Sequence, residues 1–442
     1  MMMDIITEDR LKKCREERVA LREPVYERLE KSLGKEAVNE LRTLMNGYSE
    51  ENYIWMAKLW DKEIGGFYYS NSARDNEGFL PDIESTMQIL RCVDAIGLLS
   101  SLGGPNKALP DDIKESLLKF TKEMQSSDDG YFYHKQWSKN VKVNRRGRDL
   151  GWSVALITEL GNMPFYDTPS GVKGSLGAPK ASAKNENAEN PVTTCSEQLK
   201  SKSAFIEYLD TMDLKTQSYR CGNILNAQKR EIMGAGPEFC KTFVDYITER
   251  LRPDNGLFEE EVNYSSVSGL FKIGGVVCEM GYPLPYVDKA FMGALKMALK
   301  PGTDGVGCVC MIHNCLVVLS FMLKTAQKFE SEETYLAMQK VLAENATDLI
   351  RITNEKMKIF RRDDGAFSYM PTGSSWTSQG ALVAVENTLE SDVNASTIMM
   401  SGIVLPLMGL FGEKNFPLFG KEDGKLFIDL LENADPIAKN NK

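Results

Sequence analysis

The chain alternates between two kinds of apolar run, and their spacing predicts its elements. One kind is amphipathic. Leu117-Leu118-Lys119-Phe120-Thr121-Lys122-Glu123-Met124-Gln125 keeps its apolar residues on one helical face, and Glu238 to Arg250 and Glu332 to Lys358 carry Lys and Glu along the opposite one. The other kind has a polar start and a nearly uncharged body, as in Val306 to Leu323 and Ile398 to Leu410. Helices of the first kind bury one face and those of the second are covered on most sides, which predicts an inner set of helices within an outer set.

One punctuation recurs between them: Ile64-Gly65-Gly66-Phe67, Asp129-Gly130-Tyr131-Phe132, Asn255-Gly256-Leu257-Phe258 and Asp364-Gly365-Ala366-Phe367. Glycine permits a tight turn, and the Phe staples the short extended segment after it to the core. The starts of buried helices come next, with Asp as the N-cap in Asp82-Ile83-Glu84-Ser85-Thr86, Asp149-Leu150-Gly151-Trp152-Ser153 and Asp392-Val393-Asn394-Ala395-Ser396. Weaker starts lie near Tyr219, Ser265 and Gly307. The turns recur at about 50 to 65 residues, in the range of supersecondary repeats. The expected fold is all-α, an (α/α)6 toroid of six helical hairpins over residues 51–415. A flexible insert rich in Gly, Ala, Ser, Asn and Lys is expected near 168–203, an N-terminal helical segment over 1–50 packing on the ring, and a C-terminal tail over 416–442.

Composition adds limits. The 442 residues, 42% hydrophobic and 26% charged, suffice for a large core, and no unbroken run of 18 apolar residues predicts a membrane span. The first residues lack the apolar stretch of a signal peptide, and nine scattered cysteines fit free thiols, so a cytoplasmic location is expected. A net charge of -9 excludes a nucleic-acid scaffold, although Asn144-Arg145-Arg146-Gly147-Arg148 is a local basic exception.

In such a ring the inner-helix N-termini converge on one rim, which would gather Asp82, Glu84, Arg148, Asp149, Trp152, Tyr219, Arg220, Glu390 and Asp392. Glu84 from the first repeat and Asp392 or Glu390 from the last form a candidate acid–base pair for hydrolysis, while an elimination would use a Tyr or His134 as base and Arg148 to neutralise the uronate. Asp82, Asp149 and Asp392 also read as helix caps. Arg74, Arg145, Arg148, Arg220, Asn71 and Asn394 add donors, and Tyr68, Tyr69, Phe79, Tyr131, Tyr133, Trp137 and Trp376 add aromatic faces suited to sugar stacking, to carbocations or to plain core packing. A hydrocarbon gains nothing from so many donors, whereas guanidinium forks match anionic oxygens. The expected activity is that of a hydrolase or lyase acting on an anionic, uronate-type oligosaccharide, needing no cofactor. Asp82, Arg74, Arg148, Asp149, Trp152, Tyr69, Tyr133, Arg220 and Trp376 would bind the substrate. Cys308, Cys310 and His313 superficially resemble a metal site, but all come from one helix, so no metal is expected. A non-catalytic toroid that binds a partner is the bland alternative.

Gly65-Gly66-Phe67-Tyr68-Tyr69 followed by Pro81-Asp82-Ile83-Glu84-Ser85-Thr86 resembles a segment of the terpenoid cyclase and protein prenyltransferase toroids. It is similar to the squalene-hopene cyclase pattern of Gly-Gly-Phe, a short extended run and Pro-Asp-Val-Asp-Asp-Thr. Met124-Gln125 before Asp129-Gly130-Tyr131-Phe132 is similar to the Gln-and-aromatic repeat of that superfamily. The resemblance implies a toroid and, as a second reading of function, a cyclase in which Glu84 is the Brønsted acid. Glu stands here for the Asp of the motif, and Ser85 for the Asp after it.

Overall fold

The computed structural model describes residues 5–180, 197–437 and 439. The chain is all-α apart from two small antiparallel ribbons, Trp60–Asp61 with Gly66–Phe67 and Thr377–Ser378 with Ala381–Leu382. The four punctuating glycines, Gly65, Gly130, Gly256 and Gly365, all have positive φ, between 67° and 95°. The aromatic residues that come after them, Phe67, Phe132, Phe258 and Phe367, are buried. The turn chemistry read from the sequence is the turn chemistry of the fold.

Six helices pack against one another in succession: Ile83–Ala95, Val143–Glu159, Ser218–Gly234, Tyr264–Glu279, Val309–Phe329 and the continuous run Val393–Leu410. The Ile83 helix packs on the Val143 helix, Val143 on Ser218, Ser218 on Tyr264, Tyr264 on Val309, and Val309 on the Val393 run, which also packs on Ile83. Asp111–Lys122, Pro237–Thr248 and Val287–Ala298 pack on members of this set from outside it. The Ser218 and Tyr264 helices touch most intimately because Gly269 has no side chain. A Cβ there would come within 2.5 Å of the Ser218 Cβ.

Three boundaries differ from the sequence reading. Asp149 does not start a helix, because the helix begins at Val143, and a full turn of charged residues precedes it. Glu332 to Lys358 is two helices, Glu332–Glu344 and Ala346–Lys358, parted at Asn345. The stretch read as a C-terminal tail contains the helix Lys421–Glu432, whose Leu426, Phe427, Leu430 and Leu431 are buried and which packs on Glu8–Leu33 and Glu50–Ala57. Of the insert expected near 168–203, residues 181–196 lie outside the described ones, and a helix begins at Lys202.

Val309–Phe329 and Val393–Leu410 are long and apolar enough to cross a membrane by length and composition, but most of each is buried inside the fold, as core helices are. The Val393 run widens into π-type turns over Ile398–Val404, just before Pro406. Proline has no N–H to offer the Gly402 carbonyl one turn back, and such an orphan acceptor needs another donor. His313 Nδ1 supplies it at 2.5 Å.

Candidate functional site: a cation-lined central cavity

A cavity of about 550 Å³ opens where the six helices meet. Each contributes: Gln88 and Arg91; Arg148 and Trp152; Tyr219 and Arg230; Phe271 and Lys272; Cys310, His313 and Asn314; and Asn394. Tyr369 and the segment Ser375 to Gln379 complete the wall. Val309 N–H donates to the Tyr369 carbonyl at 3.1 Å, which ties this covering segment to a helix start.

The lining is strongly one-signed. Arg91, Arg148, Lys229, Arg230 and Lys272 all face it, and among the described residues no Asp or Glu does. Three of these cations have partners behind the wall: Arg91 with Glu159 at 2.9 Å, Lys229 with Glu279 at 2.6 Å and Arg148 with Glu84 at 3.2 Å. Lys272 forms no ion pair among the described residues, and burial, the dominant influence, pushes its ammonium below the usual lysine range. An acidic protein thus concentrates positive charge at one cavity, and a lining of one sign attracts the opposite charge.

Directly behind this wall lies a buried charge cluster centred on Arg145. Its guanidinium is fully buried, 3.0 Å from Asp82, 3.1 Å from Glu84 and 2.8 Å from Asp149, and it lies over the Trp137 ring. Asp82 caps its helix, accepting from the Glu84 and Ser85 N–H groups at 3.0 and 3.1 Å. Glu84 also accepts from the Ser378 hydroxyl at 2.7 Å. Burial pushes the Asp149 carboxyl up to about 7, against the pull of Arg145.

The structure therefore brings Asp82, Glu84, Arg148 and Asp149 together, but only Arg148 of these lines the cavity. Trp152 lines it too, under Arg91 at 5.0 Å. The rest of the predicted set is engaged elsewhere. Asp392 caps the Val393 run, accepting from Ala395 N–H at 2.8 Å, Tyr369 N–H at 2.7 Å and the Tyr69 hydroxyl at 3.1 Å. Glu390 accepts from the Ser72 N–H and hydroxyl at 2.7 and 2.6 Å, and Glu259 accepts in the same way from Ser218 at 3.0 and 2.6 Å. A carboxylate clamped on the start of a helix is thus a repeated structural device. His134 is buried, with Nε2 2.7 Å from the Pro81 carbonyl and its ring stacked on Trp137. Arg74 pairs with Asp75 and the Tyr133 hydroxyl donates to Asp129. Arg220 is exposed and bonded to Gln217, and Trp376 packs against the core.

Burial pushes Asp392 up to about 7, over the opposing pull of its donors. A carboxyl whose folded pKa is raised stabilises the fold fully below its unfolded value, about 3.9, and this contribution is lost as pH rises through about 7. Asn caps helices as well as Asp does. In Asp392→Asn the decline in stability between about pH 4 and 7 should be shallower, leaving the part owed to Asp149, when urea midpoints are measured across that range. An unchanged slope would exonerate Asp392.

Sequence reasoning passed over Lys272 and Tyr369, as well as Gln88, Arg91, Lys229, Arg230 and Phe271, and it read the cluster around Cys310 and His313 as a metal site or a polar part of the mouth or core. Cys310 lies at the second position of its helix with Cys308 as N-cap, and its sulfur is 3.3 Å from the Tyr369 hydroxyl. A hydrogen bond from Cys308 is the largest influence holding the Cys310 thiol below the usual range, and Tyr369, Lys272 and Arg148 act in the same direction. Among the described residues no group of three or more His, Cys, Asp or Glu side chains converges as a metal site. No family model matches the chain, and neither the curated proteins nor the solved structures give a match.

Proposed function

We propose that the chain is an (α/α)6 toroid enzyme of carbohydrate metabolism that binds a carboxylate-bearing saccharide in its central cavity and cleaves it by β-elimination. Support for the ring comes from the succession of helix contacts, in which the sixth member packs back on the first. The observation that carries the reading is the cavity lining itself, with five cations and, among the described residues, no carboxylate. Glycoside hydrolysis requires two carboxyl groups flanking the bond. Elimination from a uronate requires cations that neutralise the carboxylate and stabilise charge as the neighbouring proton leaves, which Arg148 and Lys272 are placed to do. Tyr219 lines the cavity and has its phenol held in the protonated form chiefly by burial, so it suits donation of a proton to the leaving oxygen. The cyclase reading, with Glu84 as the acid, is disfavoured because Glu84 is paired with two arginines and lies behind the wall. Eight free cysteines among the described residues suit a reducing compartment such as the cytoplasm.

The test is a panel of uronate-containing and neutral oligosaccharides, with isoprenoid diphosphates and a squalene-like hydrocarbon as controls. Wild-type protein should convert a uronate oligomer into an unsaturated product seen by ultraviolet absorbance. Arg148→Met leaves Glu84 with Arg145 and Ser378, so folding should persist. The loss of one charge-assisted contact should raise KM for the acidic substrate by about 10- to 100-fold. Turnover of a neutral sugar or a hydrocarbon, with Arg148 dispensable, would overturn the proposal.

A further inference from the structure

Cys310 is the thiol among the described residues that lines the cavity, in the same wall as Lys272 and Arg148 and with its sulfur 3.3 Å from the Tyr369 hydroxyl. The six other described cysteines outside the Cys308–Cys310 pair, Cys14, Cys92, Cys221, Cys240, Cys278 and Cys315, are all pushed above the usual thiol range, in each case chiefly by burial. Around Cys310, the Tyr369 hydroxyl lies within hydrogen-bonding distance, Cys308, Lys272 and Arg148 act to hold the thiol below that range, and the sulfur sits in the first turn of a 21-residue helix. Lys272 makes no ion pair among the described residues and feels Glu84 only at longer range, so its charge acts across the cavity.

We propose that Cys310 is the base of the elimination, a thiolate that takes the proton from the carbon next to the substrate carboxylate while Lys272 and Arg148 hold that carboxylate. This rests on the uronate reading and deepens it. The step balances within the site. The carbon–hydrogen bond breaks and a sulfur–hydrogen bond forms; the electron pair becomes the new carbon–carbon double bond and expels the glycosidic oxygen, which takes the phenolic proton of Tyr219. The thiol then gives its proton to solvent water and the Tyr219 phenolate takes one from it, so both groups are reset without a co-reactant. His313 is not a competing base, because its Nδ1 is committed to the Gly402 carbonyl and burial pushes it down to about 4.

Two measurements on the full chain test this, one without substrate. In the first, a Cys195→Ser background is alkylated with iodoacetate or iodoacetamide and each cysteine is followed by peptide mass spectrometry. The thiolate displaces iodide from either reagent, but only iodoacetate carries the charge that Lys272 and Arg148 attract. At pH 7 Cys310 should react about tenfold faster than an ordinary thiol, which is only a few per cent thiolate there, and should prefer iodoacetate. Lys272→Met should abolish the preference, and Cys308→Ala should move the pH midpoint of labelling upward. In the second measurement, Cys310→Ser should lower kcat on the uronate substrate by at least about 100-fold with little change in KM and an unchanged melting temperature. Ordinary reactivity at Cys310, or full turnover by Cys310→Ser, overturns the base while leaving the uronate reading intact. The expected labelling without turnover of any uronate by wild type overturns that reading and the base role with it.

Discussion

Replacing Arg145 with Met should cost the fold about 3 to 5 kcal/mol, the usual penalty for removing one partner from a buried ionic cluster. The side chain is fully buried and is, among the described residues, the only cation paired with Asp82, and Glu84 and Asp149 lean on it as well. Methionine fills much of the same volume and keeps contact with Trp137, so the loss is electrostatic rather than a cavity effect. Asp82 and Asp149 would be left as buried carboxyls without a counter-ion, whereas Glu84 would retain Arg148 and the Ser378 hydroxyl. The deficit should therefore shrink at acid pH, where protonation removes the stranded charges. Urea denaturation of both proteins at about pH 5 and pH 8 measures this. A loss below about 1 kcal/mol at pH 8 would mean that Arg145 does not hold the cluster together.

The same cluster shows where the sequence ceases to be legible. Asn144-Arg145-Arg146-Gly147-Arg148 stands out in the sequence only as a local basic stretch, and the buried helix is expected to start after it, at Asp149. In the fold the helix starts at Val143, because the charge of Arg145 is matched by carboxylates from another repeat 61 to 63 residues away. A match of that kind is not written in any local window. Periodicity fails for a different reason at Asn345, where the apolar pattern runs on across the break between two helices. The glycine turns and the caps at Asp82 and Asp392 are legible because each is fixed by neighbours within a few residues. The cavity is legible only in part. Arg148, Trp152, Tyr219 and Asn394 stand beside recognisable helix starts, but Lys272 and Cys310 sit within apolar stretches where a lysine reads as a solvated end and a cysteine as a small hydrophobe. The carboxylates attract attention as acid–base candidates by residue type, whereas the geometry engages them as caps and counter-ions.

Replacing Tyr219 with Phe should lower kcat on the uronate substrate by about 10²- to 10⁴-fold, the range typical of losing one general acid. The change deletes a single hydroxyl. Its ring lines the cavity at the first turn of the Ser218 helix, and that packing is retained. KM should change little, because the carboxylate is held by Arg148 and Lys272 rather than by the phenol. The melting temperature should change little, because the packing of the ring is kept. A merely structural tyrosine could mimic a low kcat, so the leaving group decides the matter. An aryl-linked uronate expels a phenolate that needs no proton in the transition state, and on that substrate Tyr219→Phe should approach wild-type turnover. Tyr369→Phe should behave differently, since the Tyr369 hydroxyl lies 3.3 Å from Cys310 and helps to keep that sulfur deprotonated. Its effect should be an upward shift of the acidic limb of the pH profile with both leaving groups. Equal loss on both substrates for Tyr219→Phe would place that hydroxyl outside the proton transfer to the leaving group.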